Sequence, residues 1–401
     1  MTGSDKPRVV IAGGGVAAIE ALLALRNFAE DRVSIELVAP ETEFFYRPLA
    51  IAAAFDLGEP PRFDLATIAD DLRAVHRRDS VVAVQPERRL AWTRGGEEVP
   101  YEVLVLATGA KPEEAVPGSL TFRGTDDQHE YRTLMDELDR GVVETVVFAV
   151  PSGTTWSLPI YELALITAAR LRAGRSGTAV KLVTPEAAPL ALFGRPASEA
   201  VAELLALRGI ELFTSTHPVE FGLGALTVVP AGKVPADRVV ALPRLRGRPI
   251  EGVPIDADGF IEVDPFGRVH GLADLYAAGD VTAGSIKQGG VATQQADTVA
   301  AAIAARFGAA AEPQPFRPVL RGTLLTGDGA RFMRTEVAGG AGERSEVSAQ
   351  LLWWPEGKIT GRYLSHYLAR RAHPIEPERP LTADAIPVDV ELPAGGNTVP
   401  A

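Results

Sequence analysis

The sequence predicts an α/β fold: two three-layer units, each with a parallel sheet, and a small C-terminal α+β domain. Three observations carry this. A strand, a glycine turn, a helix and a second strand fill the stretch from Arg8 to Val38. The same order of elements begins again near Val142, and the composition changes after Pro313. At 401 residues and 46% hydrophobic, the chain is long enough for two or three cores and too apolar to be disordered throughout.

The elements follow in order. RVVIA (Arg8–Ala12) is a β-branched run, and GGGVAAIEALLALR after it has helical spacing through Ile19, Leu22, Leu23 and Arg26. VSIELV (Val33–Val38) completes a βαβ unit, so a right-handed parallel crossover is expected. EFFYRPLAIA reads as a loop and DLATIADDLRA as a helix. SVVAVQ, RLAWT and VPYEVLVL read as strands, with a turn at Gly95 and Gly96. The second cycle runs ETVVFAV, a turn, YELALITAARLRA, AVKLVTP, PASEAVAELLALRG and IELFT. DRVVAL and LYAAGD are further strands, and GGVATQQADTVAAAIAARF is a helix. RGTLLTGDGARFMRTE and SAQLLWWPEG read as strands, GRYLSHYLARRA as a short helix, and the Pro-rich residues after His373 as an extended tail.

Bulk properties exclude several functions. The formal charge of −12 gives no general attraction to nucleic acid. The six histidines are scattered without metal spacing, so no metal site is expected. Asp70 and Asp71 read as a solvated helix face. No apolar run reaches the length of a membrane span, and no targeting segment is visible, so a cytoplasmic protein is expected. The chain has no cysteine, which removes disulfides, iron–sulfur clusters and dithiol redox chemistry.

Gly13, Gly15 and Ala18 fit G-x-G-x-x-A between a strand and a helix. Gly13 permits the tight turn, Gly15 lets backbone approach a pyrophosphate, and Ala18 allows close helix–strand contact. The fingerprint does not choose between NAD and FAD. An acid usually ends the second strand and binds ribose. Here that position is Ala39, and Glu41 either reaches the ribose from further on or is a loop charge.

Two later segments narrow the choice. VLVLATGAKP presents Thr108 and Gly109 at a strand end, and LYAAGDVTAG presents Gly279 and Asp280. With the first loop they resemble the FAD-binding elements of the pyridine nucleotide–disulfide oxidoreductase superfamily. FFYRPLA, the turn Pro151–Glu162 and KQGGVATQQA resemble its sulfide:quinone oxidoreductase and flavocytochrome c sulfide dehydrogenase branch. The resemblance implies two Rossmann-like domains. An FAD-binding domain would span 1–110 and 246–312, a second domain with a degenerate NAD loop 111–245, a C-terminal domain 313–373 and a tail 374–401. It implies that Asp280 binds the ribityl chain, that the helix near Gly289 points its N-terminus at the flavin, and that Val81 and Gln288 also contact the cofactor. Lys287 would support negative charge on reduced flavin, or be a solvated loop lysine. Arg47 would sit near the FAD phosphate or ribose, or at the surface.

In that branch the middle turn carries a redox cysteine shortly before a Pro-x-Tyr-Glu helix start. Pro159, Tyr161 and Glu162 match the helix start, and Trp156 or a neighbour takes the cysteine position. The fold carries over and the persulfide reaction does not. Trp156 then either shields the flavin face or plugs the space between domains. Three functions remain. The first is an FAD oxidoreductase passing electrons from a small donor to a quinone or other small acceptor. The second is an NAD(P)H-dependent flavin reductase like type II NADH dehydrogenases or ferredoxin reductases. The third is a flavin-bearing module acting through a protein partner. The stretch from Trp353 to Arg371 would meet a membrane surface, or pack on its own body or on a partner subunit, and packing is the expectation.

Overall fold

The computed structural model describes residues 6–124, 127–230, 232–284, 286–336 and 345–372; the expected tail 374–401 lies outside them. Its helices are α1 (Val16–Ala29), α2 (Ala50–Ala54), α3 (Leu65–Asp71), α4 (Gln128–Asp139), α5 (Leu158–Ala173), α6 (Arg195–Leu207), α7 (Gly289–Arg306) and α8 (Leu364–Ala372).

Two five-stranded parallel sheets organise the chain. The first has the order Leu275–Ala277, Val103–Leu106, Arg8–Ala12, Ser34–Val38, Val75–Arg77. Its inner strands Val103–Leu106 and Arg8–Ala12 are largely apolar because both faces are covered. Helices α1 and α7 pack together on one face, over Val9, Ile11, Val103 and Val105. An antiparallel three-stranded sheet, formed by Val81–Gln85, Leu90–Thr93 and Glu98–Pro100, covers Val10, Ala12, Leu104 and Leu106 on the other. The second sheet has the order Leu120–Thr121, Arg238–Ala241, Thr145–Ala149, Ala179–Val183, Glu211–Phe213. Helix α5 covers Val146 and Phe148, and the antiparallel sheet from His217 to Pro235 covers Val147 and Ala149. The two chain passages between these units pair antiparallel, Lys111–Glu113 with Arg244–Arg246.

A third sheet is antiparallel: Val319–Leu325, Ala330–Glu336 and Ser345–Ser348. SAQLLWWPEG is expected to be a strand, but the strand lies before it and ends at its first residue, Ser348. Beyond it the chain folds back on itself, and the Trp353 indole donates to the Gly357 carbonyl at 3.2 Å. Helix α4, amphipathic with Tyr131, Leu134, Met135 and Leu138 buried, was not anticipated.

Helix α8 packs on the body of the chain through Leu364, Tyr367 and Leu368. Its start is set by a residue far away in sequence. Glu20, fully buried on α1, accepts the backbone N–H groups of Tyr363 at 2.9 Å and Leu364 at 2.6 Å. It thereby caps a helix it does not belong to. Burial pushes the Glu20 carboxyl up. Burial and the adjacent Glu20 push Asp297, on α7, well above the usual carboxylate range. Both causes favour the neutral form at Asp297. Asp71 is not a free surface charge: it accepts the Tyr367 hydroxyl at 2.6 Å and pairs with Arg371.

Removing the cap exposes its worth. Glu20→Ala strands two buried N–H groups and is expected to lower stability by roughly 1–3 kcal/mol. Denaturant unfolding measures the loss, and hydrogen exchange at Tyr363 and Leu364 should accelerate more than exchange in the central strands.

Candidate functional site

The first loop has the geometry of a phosphate cradle. Gly13 has φ +127°, and a Cβ there would lie 2.3 Å from the Ala107 carbonyl, so no other residue fits. A Cβ on Gly15 would meet nothing within 4 Å, which leaves room above the start of α1. Ala18 is fully buried against the sheet. The Glu41 carboxylate reaches back over this loop: a Cβ on Gly14 would lie 3.3 Å from Glu41 Oε2. Across the loop, Thr108 Oγ1 is buried without a hydrogen-bond partner, and Gly109 follows it with φ +69°. A glycine turn, open space, an orphaned hydroxyl and a carboxylate at the far side together fit a dinucleotide.

The loop leads into a cavity of about 780 Å³ between the two parallel-sheet units and the third sheet. Arg47, Trp156, Asp280, Lys287 and Gln288 all line it. Val81 does not. Its side chain is buried with Val84, Ala91 and Val253.

Asp280 follows Gly279 at the end of the strand Leu275–Ala277, facing α7. Burial raises its carboxyl, and the charges of Lys287 and Arg47 pull it back down. Arg47 is therefore near the Asp280 end of the cavity. Lys287 is buried. Its ammonium lies 3.9 Å from the centre of the Phe260 ring and donates to the Thr282 carbonyl. Burial lowers it to about 8, against the pull of Asp280 and Asp256. Its backbone N–H donates to Thr155 Oγ1 at 3.3 Å, so the middle turn helps to place it. Gln288 caps α7: Oε1 accepts the Val291 N–H at 2.8 Å, and Nε2 donates to the Arg321 carbonyl at 3.2 Å. Its side-chain amide is thus engaged within the protein, and one of the N–H groups at the start of α7 is already satisfied.

Trp156 lies at the cavity wall, against the second unit. It packs edge-on against Phe193, centroids 5.6 Å apart. Deeper in the turn, Glu186 stands just past the strand Ala179–Val183, where a dinucleotide-binding unit keeps its ribose acid. It accepts three hydroxyls: Ser157 at 3.0 Å, Tyr161 at 2.6 Å and Thr184 at 2.8 Å. Burial and the Glu186 charge push the Tyr161 phenol up, so it remains a donor.

One wall of the cavity was not foreseen. Glu162 is fully buried; Lys358 Nζ lies 2.6 Å from its Oε2, and the Leu325 N–H donates to Oε1 at 2.8 Å. Burial raises the Glu162 carboxyl and Lys358 lowers it. The available signal was an acid inside an apolar helix, IYELAL, which demands a distant partner. Among the described residues no cluster of three or more His, Asp or Glu side chains is placed to hold a metal. No helix of the described residues is long and apolar enough to cross a membrane.

The family profile described as "Pyridine nucleotide-disulphide oxidoreductase" matches residues 7–296. The chain is 26% identical over 164 residues to the sulfide-quinone reductase of Aquifex aeolicus, covering 39% of this chain and 38% of that protein's length. It is 26% identical over 295 residues to an NADH dehydrogenase-like protein of Mycobacterium tuberculosis, 69% of this chain and 73% of that one. Among solved structures, the sulfide:quinone oxidoreductase of Aquifex aeolicus shares the fold with a TM-score of 0.76 at 18% identity, covering 92% of this chain and 90% of that one. A ferredoxin reductase from Rhodopseudomonas palustris gives 0.65 at 22%, covering 83% of each.

Lys287 has a pH signature. Its folded value, about 8, lies below its ordinary 10.5, so the unfolded chain binds more protons between these two. Wild-type stability should therefore rise through this window, the burial penalty being fully present below it. Lys287→Met lacks the titration, so its stability relative to wild type should fall as pH rises from about 8 to 10.5, by a few kcal/mol. Paired denaturation curves across that range measure the change.

Proposed function

Because the chain belongs to the pyridine nucleotide-disulphide oxidoreductase family, we propose that it is an FAD-dependent oxidoreductase that passes electrons to a quinone or similar small acceptor without cysteine persulfide chemistry. The observation that carries this is the cavity: it runs from Asp280 and Lys287 to Trp156 and the Glu162–Lys358 pair. Gly13, Gly15 and Ala18 would hold the pyrophosphate, Glu41 the adenosine ribose and Asp280 the ribityl chain, with Thr108 and Gly109 beside the loop. Arg47 and Lys287 would set positive charge near the isoalloxazine, and Val81 and Gln288 would contribute backbone. The bound flavin supplies two-electron acceptance and release.

The chain's own residues divide the remaining work. Lys287 favours negative charge on whatever faces it, more so when protonated. Trp156 keeps water from one side of the cavity and supplies an apolar surface for a planar molecule. Lys358, held by Glu162, presents an ammonium to an acceptor oxygen. The absence of any cysteine removes a thiolate as the site of attack.

A second reading, NAD(P)H as donor, is favoured by the similarity to the Mycobacterium tuberculosis NADH dehydrogenase-like protein. Against it stand Trp156 in the turn and Glu186, whose carboxylate is already taken by three hydroxyls. A nicotinamide nucleotide would have to displace them.

The test is spectroscopic. The purified protein should show a flavin spectrum that NADH and NADPH do not bleach rapidly without oxygen, and after chemical reduction a short-chain ubiquinone should restore it. Rapid bleaching by either nucleotide would establish the second reading instead. A colourless protein that binds no added FAD defeats both.

A further inference from the structure

We propose that Thr323 is a specificity-determining residue, donating its hydroxyl to a carbonyl-type oxygen of the acceptor alongside Lys358. This rests on the quinone reading above and goes beyond it by naming the donor and the feature of the acceptor that it recognises.

The Thr323 hydroxyl is one of seven buried side-chain polar atoms without a hydrogen-bond partner among the described residues. The residue is 9% exposed and lines the cavity, yet Oγ1 is closed to water and has no hydrogen-bond partner. A buried hydroxyl left unpaired costs about 1–3 kcal/mol, and such groups call for an explanation. No hydrogen bond holds this one in its present rotamer. A turn about Cα–Cβ moves the hydroxyl to another staggered position without breaking a hydrogen bond.

Its position is fixed by neighbours that also fix Lys358. Thr323 lies on the strand Val319–Leu325, which is pressed against the start of α5: a Cβ on Gly322 would lie 2.6 Å from Phe193 Cζ and 2.8 Å from Leu158 Cδ1. Two residues further, the Leu325 N–H binds Glu162 Oε1, while Lys358 binds Oε2. One buried carboxylate therefore holds the strand that bears Thr323 and the lysine that faces the same space. Lysine can only donate, whereas threonine can donate or accept. The pair is satisfied together by an oxygen that accepts, and the wall of Trp156, Leu158 and Ile359 suits an apolar ring carrying it. A planar quinone carbonyl meets both demands.

Thr323→Val removes the hydroxyl at nearly constant shape, and Thr323→Ser keeps it. Binding of a short-chain ubiquinone to the flavin-loaded protein can be followed by tryptophan quenching, and electron transfer by the rate at which quinone reoxidises the chemically reduced flavin. Ferricyanide, an outer-sphere acceptor that needs no directed hydrogen bond, serves as control. The valine variant should bind and use the quinone about tenfold more weakly, reduce ferricyanide at the wild-type rate, and unfold no earlier than wild type when no quinone is present. The serine variant should restore quinone binding. Equal quinone affinity in wild type and Thr323→Val overturns the proposal, as does an equal loss with ferricyanide. A quinone that binds in a Thr323-dependent way but is never reduced would sustain the hydroxyl's role and defeat the acceptor reading. A wild type that does not bind the quinone defeats both.

Discussion

The buried Glu162 carboxylate is the interaction on which the rest of the site depends. A charge with no exposed surface persists only if it is paired and hydrogen-bonded. Here it takes one bond from a backbone amide of the third sheet and one from Lys358. Helix α5 of the second parallel unit is thereby joined to two segments more than 160 positions later in the chain. The cavity wall follows from that junction. With an apolar residue at 162, the lysine would have no reason to enter the interior, and the strand Val319–Leu325 would lose its register against α5.

A second glutamate does comparable work at the other end of the same segment. Glu20 holds Tyr363 and Leu364, and the Tyr46 hydroxyl accepts the Ile359 N–H at 2.8 Å between the two anchors. The stretch from Lys358 to Leu364 is thus strapped across helices from both parallel units. One anchor is neutralised by a cation, and the other is a carboxyl beside a second carboxyl, both pushed up by burial. The two solutions suit their surroundings: Lys358 can still present donors to a ligand, whereas the Glu20–Asp297 pair has only structure to satisfy.

Local pattern made much of this fold legible. The glycine loop, the alternation of strand and helix, and the strands ending at Thr108 and Gly279 all depend on neighbours within a few residues. The periodicity behind α1, α5 and α7 is equally local. What stayed hidden depends on distance. Lys358 meets Glu162 across 196 positions and Leu364 meets Glu20 across 344, separations over which no sequence period exists. That Gln288, which lines the cavity, also caps α7 with its side-chain amide could not be read from the sequence. Glu186 went unnoticed because its three partners assemble only after α5 and the strand Ala179–Val183 are side by side. The middle turn, with Pro151 and Trp156, is expected from its sequence to be a poor nucleotide loop. Its positive role, placing Lys287 through Thr155, required the structure.

The strand Leu275–Ala277 has a consequence for how the chain assembles at the ribosome. It lies beside Val103–Leu106 at one edge of the first sheet, and α7, which covers that sheet, comes later still. The five strands of the second sheet all lie between Leu120 and Ala241. The unit that begins first is therefore finished last. During synthesis its N-terminal half must wait, with one sheet edge unpaired, while the interrupting unit completes its own sheet. That order exposes a parallel edge for the time taken to make about 170 residues, and gives the cell's folding helpers a defined segment to protect.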